Sequence, residues 1–262
     1  MLVLIMKIIF MGRKKQSADL LEWIVDNGIE IVAVVTDSQF SNSPTMAKAN
    51  SMNIPVISME EAEEYVINHS GEIDLVTSYL YWRKIRKPLI EGPKYGCINF
   101  HPAILPDWKG CGGYNMAILN KLKEWGVTAH YVNEEIDTGK IIEVDKFDFD
   151  CKTATAMSLE EISQEKLVAL YKKIILEVKE KGLLETIDVD NTKGTYISRK
   201  QMNDMKKITD EDLKSDNLDY KIRAFWFPPY DGAYIEVNGK KYTLTDVEIL
   251  KTLIDKDTTA LF

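Results

Sequence analysis

The chain has 262 residues, 45% of them hydrophobic, which is enough for a full core in one large domain or a domain with an appendage. A net charge of −8 and a pI near 5.1 argue against a broad nucleic-acid surface, which needs a basic face, but not against a local phosphate pocket. Cys97, Cys111 and Cys151 are an odd, widely spaced set; they make neither a disulfide framework nor a zinc spacing, and reduced cytoplasmic thiols are expected.

Met1 to Met11 are very apolar. They have no basic n-region and no small-residue cleavage site, and the run is too short to span a bilayer. The stretch predicts a buried central strand that ends at Gly12, in a cytoplasmic protein without a membrane partner. Gly12-Arg13-Lys14-Lys15-Gln16 sits where a nucleotide loop would sit, yet it is neither G-x-G-x-x-G nor a Walker A motif. Arg13, Lys14 and Lys15 either meet a substrate phosphate or are solvated basic residues at a strand end. Lys15 to Asn27 reads as an amphipathic helix with Leu20, Leu21, Ile24 and Val25 on one side and Gly28 as its stop. Ile29 to Thr36 is a second strand, Thr45 to Ser51 a short helix and Ile54 to Ile57 a short strand. Ser58 and Glu61 have capping-box spacing and open a helix. Ile73 to Ser78 is a further strand, followed by Leu80-Tyr81-Trp82-Arg83-Lys84-Ile85.

Ile98 to Pro106 is a short strand that ends in a proline-stiffened loop. Asn99 and His101 are two apart and share a face, while Ile98 and Phe100 take the other. Pro102 stops regular pairing. An amide and an imidazole thus stand side by side at a strand end, either as a site or as the hydrogen-bonding of a turn. Gly110 to Leu122 reads as a helix after a glycine-rich entry; Val127 to Val132 and Lys140 to Phe149 are strands around the Asp137 loop. His69 and His130 are expected to be structural. Alternating strands and helices imply an α/β fold, a doubly wound and mostly parallel sheet with helices on both faces. Thr153 to Glu180 is a long helix with Leu159, Ile162, Leu170, Ile174 and Val178 near one face; it closes a first domain, 1–182. The extension, 183–262, is polar through Lys214 with a helix start at Thr209, and ends in a β-hairpin turning at Asn238-Gly239. Before the hairpin, Arg223-Ala224-Phe225-Trp226-Phe227-Pro228-Pro229-Tyr230 is either an apolar plug or a shelf on which a nucleobase stacks, with Arg223 available to a diphosphate.

Two of these stretches carry a resemblance. Asn99 to Pro106 resembles the Asn-x-His-Pro-x-x-Leu-Pro signature of formyltransferases that use 10-formyltetrahydrofolate, and Ile136-Asp137-Thr138-Gly139 resembles the loop that supplies their aspartate. The segment from Arg223 to Ala233 is similar to the one after the catalytic domain in sugar-nucleotide N-formyltransferases and methionyl-tRNA formyltransferase. The likeness covers about 70–145 well and 222–234 moderately. Ala103 stands where a serine is common, and Asp107-Trp108-Lys109 departs from a basic-aromatic-basic pattern.

The resemblance implies a catalytic set of Asn99, His101 and Asp137, with His101 as base, Asn99 as oxyanion donor and Asp137 holding the imidazole. It implies a folate slot from Leu80, Tyr81, Trp82 and Ile85 on one loop and Ile136 and Thr138 on another, with 10-formyltetrahydrofolate as donor and no metal. Substrate contacts are expected from Arg13, Lys15, Trp108, Lys109, Arg223, Phe227 and Tyr230. Residues 181–262 hold 13 Lys and Arg against 15 Asp and Glu, a net charge of −2, which is a poor tRNA surface. The favoured acceptor is therefore a dTDP- or UDP-linked amino sugar, in surface polysaccharide or O-antigen synthesis, with no nucleic acid partner. The alternatives are a methionyl-tRNA formyltransferase-like enzyme, a non-catalytic folate or nucleotide binder, and a hydrolase that releases formate. An exposed apolar stripe from Leu250, Leu253, Ile254, Leu261 and Phe262 would make the chain a homodimer.

Overall fold

A sheet covered on both faces needs strands without a polar side, and the chain supplies them. The computed structural model describes residues 5–36, 40 and 42–251. In β1 (Met6–Gly12) every residue but Lys7 is buried. Helix α1 (Lys14–Asp26) buries Leu20, Leu21 and Ile24, while Val25 is exposed, on the edge of the predicted stripe. Gly28, at φ +66, turns the chain into β2 (Ile29–Val35). The predicted strand at Ile54 to Ile57 shrinks to a single bridge, Val34 to Val56, because Pro55 has no N–H for a ladder. Around it lie α2 (Pro44–Ser51) and α3 (Met59–Asn68). The capping box forms: Ser58 Oγ accepts from the Glu61 N–H, and the Glu61 carboxylate accepts from the Ser58 N–H. Strand β3 (Leu75–Tyr79), α4 (Lys87–Glu91) and β4 (Cys97–His101) follow.

The predicted helix at Gly110 to Leu122 begins later. Gly110 and Gly112 have φ of 77 and 76, outside the helical region, so a short strand, β5 (Trp108–Gly110), precedes α5 (Gly113–Leu119). Next come β6 (Glu124–Tyr131), β7 (Ile141–Asp148) and the 26-residue α6 (Ala156–Lys181). Helix α6 starts past Thr153 because Thr155 Oγ1 accepts from the Ser158 N–H and fixes its first turn there. Leu159, Leu170, Ile174 and Val178 are buried as expected. Ile162 is exposed, and Ser163 takes the core position instead.

The chain continues through β8 (Thr195–Ile197), α7 (Arg199–Asp204), α8 (Asn217–Ala224), β9 (Tyr234–Val237), β10 (Lys240–Thr243) and α9 (Val247–Lys251). The main sheet has the order β2-β1-β3-β4-β6-β7. It is parallel through β4, and β6 runs antiparallel to β4. The mostly parallel α/β sheet predicted from the sequence is the fold of the chain. Asn238 and Gly239, at φ 51 and 74, make the hairpin turn between β9 and β10.

The described chain divides into two compact units, and not by one cut at 182. The first holds 1–109, 126–146 and 163–195; the second holds 110–125, 147–162 and 196–262. Segments 110–125 and 147–162 join the later unit because Ile118 and Ala156 belong to its core, with Ile222, Ala224, Phe225 and Ala233. The core of the first unit centres on Phe10, Tyr79, Phe100 and Tyr171. Among the described residues no helix is long and apolar enough to cross a membrane. Leu253, Ile254, Leu261 and Phe262, invoked for self-association, lie outside the described residues, as do Met1 to Leu4; Leu250 is exposed.

Candidate active site

Alternation along β4 does what the sequence predicts. Ile98 and Phe100 enter the core, where the Phe100 ring meets that of Tyr171 at 4.6 Å. Asn99 and His101 take the other face. The antiparallel neighbour β6 sets Asn99 opposite His130 and His101 opposite Thr128. Thr128 is buried and shapes the signature loop. Its Oγ1 donates to the Ala103 carbonyl at 2.7 Å and accepts from the Leu105 N–H at 3.2 Å.

The hydrogen bonds define which imidazole nitrogen does what. His101 Nε2 donates to the Trp108 carbonyl at 3.0 Å. That leaves Nδ1 as the exchangeable nitrogen, and it faces Asp137 Oδ2 at 3.6 Å. His130 Nδ1 donates to the Tyr131 carbonyl at 2.8 Å. Its Nε2 therefore accepts, and it takes an N–H from Asn99 Nδ2 at 3.0 Å. One amide proton of Asn99 is thus anchored, and the second is directed by that anchor. Asp137 Oδ1 lies 3.7 Å from His130 Nε2, so the carboxylate sits between two imidazoles. At 3.6 to 3.7 Å these pairs are within reach of charge interaction but longer than direct hydrogen bonds.

Asp137 reaches this place through an uncommon backbone. Its φ is 55, in the left-handed region. Two residues on, a Cβ at Gly139 would overlap the Tyr131 carbonyl, so only glycine lets the loop return so close to β6. Thr138 Oγ1 donates to Asn133 Oδ1 at 2.9 Å, closing the loop on itself. Leu80, at φ 57, marks the other loop assigned to a folate slot, and Arg13 Nε donates to its carbonyl at 2.9 Å. Non-glycine residues in this region concentrate at functional sites. In the Leu80 to Ile85 loop, Tyr81 is half-buried, Ile85 buried and Trp82 exposed. Arg83 binds Glu60 at 2.7 Å and pulls that carboxyl down to about 2. Ile136 is exposed.

Several expected substrate contacts stand differently. Lys109 is 4% exposed, and its ammonium donates to the Pro106 and Lys193 carbonyls. Burial lowers its pKa, opposed by the charges of Asp137, Asp107 and Asp190. It serves as a tie between loops. Arg13 likewise spends its Nε on Leu80, while Lys15 is exposed on α1. Trp108 contributes its carbonyl. In the second unit Arg223 is 4% exposed and bonds Asp219, the Cys151 carbonyl and the Ala154 carbonyl. Four of its five N–H groups are thereby used, so the reading of Arg223 as a diphosphate ligand is corrected: it holds its own unit together. Of the aromatic shelf, Phe225 is core, Phe227 half-buried and Tyr230 exposed, with the last two rings 5.9 Å apart.

His69 is structural as predicted, stacked on Tyr65 at 4.1 Å. His130 differs: it is buried and structural, but what it holds is Asn99. The register of β4 on β6 is the signal that reveals it, and that register is a property of the sheet. Among the described residues no group of three or more His, Cys, Asp or Glu could hold a metal ion.

The formyl transferase family profile matches residues 6–175. Methionyl-tRNA formyltransferase of Bacillus cytotoxicus is 29% identical over 209 residues, 74% of this chain; the match spans 66% of that relative's length, short of two thirds. The N-formyltransferase of Helicobacter canadensis, solved with folinic acid and dTDP-3-aminofucose, superposes with a TM-score of 0.74 and 26% identity over 90% of this chain and 86% of that one. WlaRD, a sugar 3N-formyltransferase solved in the presence of dTDP and 5-N-formyl-tetrahydrofolate, gives 0.71 and 26% over 90% and 84%. By matched profile over 6–175 and by fold, the chain belongs to the formyl transferase family.

Proposed function

We propose that the chain transfers the formyl group of 10-formyltetrahydrofolate to the amine of a dTDP- or UDP-linked amino sugar. The observation that carries the chemistry is the grouping of Asn99, His101 and Asp137 on one side of β4. The sugar amine attacks the formyl carbon and a new C–N bond forms. The carbonyl oxygen gains negative charge, which the free N–H of Asn99 binds. His101, through Nδ1, takes the proton that the amine loses and returns it to the departing folate nitrogen as the old C–N bond breaks. Asp137 faces that same nitrogen and stabilises the charged imidazole. Leu80, Tyr81, Trp82, Ile85, Ile136 and Thr138 are assigned to the folate, mostly through backbone groups.

The acceptor rests on two supports. Residues 181–262 are net acidic, which disfavours tRNA phosphates. Among the relatives, the Helicobacter canadensis N-formyltransferase was solved with dTDP-3-aminofucose, a nucleotide-linked amino sugar, while the matched sequence from Bacillus cytotoxicus is a tRNA enzyme. The 29% identity to the latter favours methionyl-tRNA as the second reading. Surface polysaccharide synthesis in the cytoplasm and a homodimeric state complete the proposal. Mixing the protein and 10-formyltetrahydrofolate with a panel of dTDP- and UDP-amino sugars, and separately with Met-tRNA, tests it. A formylated sugar supports the proposal. Formylation of Met-tRNA alone refutes the acceptor, and formate release without any acceptor marks a hydrolase.

A further inference from the structure

One short strap touches both loops of the site. It runs from Asp190 to Thr195, after α6, in a region whose sequence has no regular period. It is folded on itself at one end: Asp190 Oδ1 accepts from the Thr192 N–H at 3.1 Å and from the Thr192 hydroxyl at 2.6 Å. Its other end is seated on the signature loop. The Lys193 carbonyl accepts from the Lys109 ammonium. A Cβ at Gly194 would overlap the Pro106 carbonyl, so backbone lies directly on backbone there. Thr195 N–H donates to the Asp107 carbonyl at 2.9 Å.

Between these anchors stands Asn191, 4% exposed. Its Nδ2 donates to the Asp137 carbonyl at 3.1 Å and to the Gly139 carbonyl at 2.6 Å. Both amide protons are therefore spent on the two carbonyls that bracket Thr138. Its Oδ1 is buried without a hydrogen-bond partner. Only the donor half of the amide is used, and a buried orphan acceptor is a cost to stability. The grip falls on Asp137 itself, whose φ of 55 needs surroundings that hold it. Through the same strap, the loop bearing the Trp108 carbonyl is held to the loop bearing Asp137. The two nitrogens of His101 face these two loops.

We propose that Asn191 is a positioning residue for formyl transfer: it fixes the Asp137 carboxylate against His101 by clamping the backbone on either side of Thr138. The proposal rests on the roles given above to His101 and Asp137, and is independent of which amine is formylated. It asks the clamp to hold Asp137 to within a fraction of an ångström, and a misplacement of about 1 Å is worth about a hundredfold in rate.

The test is a cycle of four proteins: wild type, Asn191→Ala, Asp137→Ala and the double variant. Rates are read as loss of 10-formyltetrahydrofolate with whichever acceptor supports turnover. Asn191→Ala is expected to lower kcat about ten- to a hundredfold with KM for donor and acceptor within about twofold. In the Asp137→Ala background the same change is expected to cost less than about twofold, since the group it positions is gone. Equal losses in both backgrounds would assign Asn191 to general stability and overturn the proposal, as would a wild-type kcat in Asn191→Ala. A second measurement needs no substrate: amide hydrogen exchange over 136–139 in the free protein. Exchange at least about tenfold faster in Asn191→Ala is expected if the amide holds the loop closed; unchanged exchange refutes the clamp even if no acceptor has been found.

Discussion

Replacing His130 separates the electrostatic part of the site from its scaffolding. The imidazole accepts one Asn99 amide proton at 3.0 Å and is itself fixed by the Tyr131 carbonyl at 2.8 Å. In His130→Ala the Asn99 amide loses its anchor and turns freely about its last torsion. A hydrogen bond contributes about 1 kcal/mol and a fully buried orphan donor costs up to about 3 kcal/mol, limits that bracket the half-buried Asn99, so the rate should fall about five- to 150-fold. Asn99→Ala removes the donor altogether and sets the scale, about a hundred- to a thousandfold. His130→Gln restores an acceptor and is expected to recover most of the loss. The assay is steady-state formyl transfer by the three variants at matched folded fraction, checked by thermal melting. The loss should lie in kcat, because the amide acts on charge that exists only in the transition state. A folded His130→Ala with undiminished kcat would refute the argument that Asn99 must be aimed.

Two further outcomes follow from contacts in the same unit. Gly139→Ala drives a Cβ into the Tyr131 carbonyl and must open the Asp137 loop; at least a tenfold loss of turnover, with a lowered Tm, is expected, and an unchanged melting curve with full activity would show that the loop tolerates displacement. Tyr171→Phe deletes a buried hydroxyl that shares a hydrogen bond with Thr77 Oγ1 at 3.1 Å. It should destabilise by about 1–2 kcal/mol in urea unfolding while leaving kcat unaltered, because the core beneath β4 keeps its shape.

The alternating pattern of β4 and the apolar run of β1 were legible in the sequence because burial imposes a local period. By resemblance Asn99, His101 and Asp137 are expected together, but that Asp137 comes within 3.6 Å of His101 is a property of the fold rather than of their spacing along the chain. His130 was not legible, since nothing local tells which residue of β6 stands across from Asn99; pairing register is settled by the whole sheet and the turn. Arg223 misled for a related reason. A guanidinium beside aromatics and prolines suits a diphosphate, yet it equally suits two carbonyls and an aspartate of its own unit. Lys109, with four methylenes under a charge, suits a substrate contact as far as the sequence goes, and three-dimensional closure of the 190–195 strap turns it inward. The division into units escaped because segments 110–125 and 147–162 are recruited by a core, Phe225 and its neighbours, that the chain reaches only much later.

The Trp108 carbonyl has a consequence for how such a site is dissected. It holds the proton on His101 Nε2 and so, in the proposed mechanism, leaves Nδ1 for chemistry. Every amino acid carries that oxygen. Alanine scanning of position 108 would report only on the indole and would be silent about the group that sets the tautomer. The peptide bond itself is the reagent to alter: an ester in place of the amide between Trp108 and Lys109, made by semisynthesis, weakens the acceptor while both side chains stay in place.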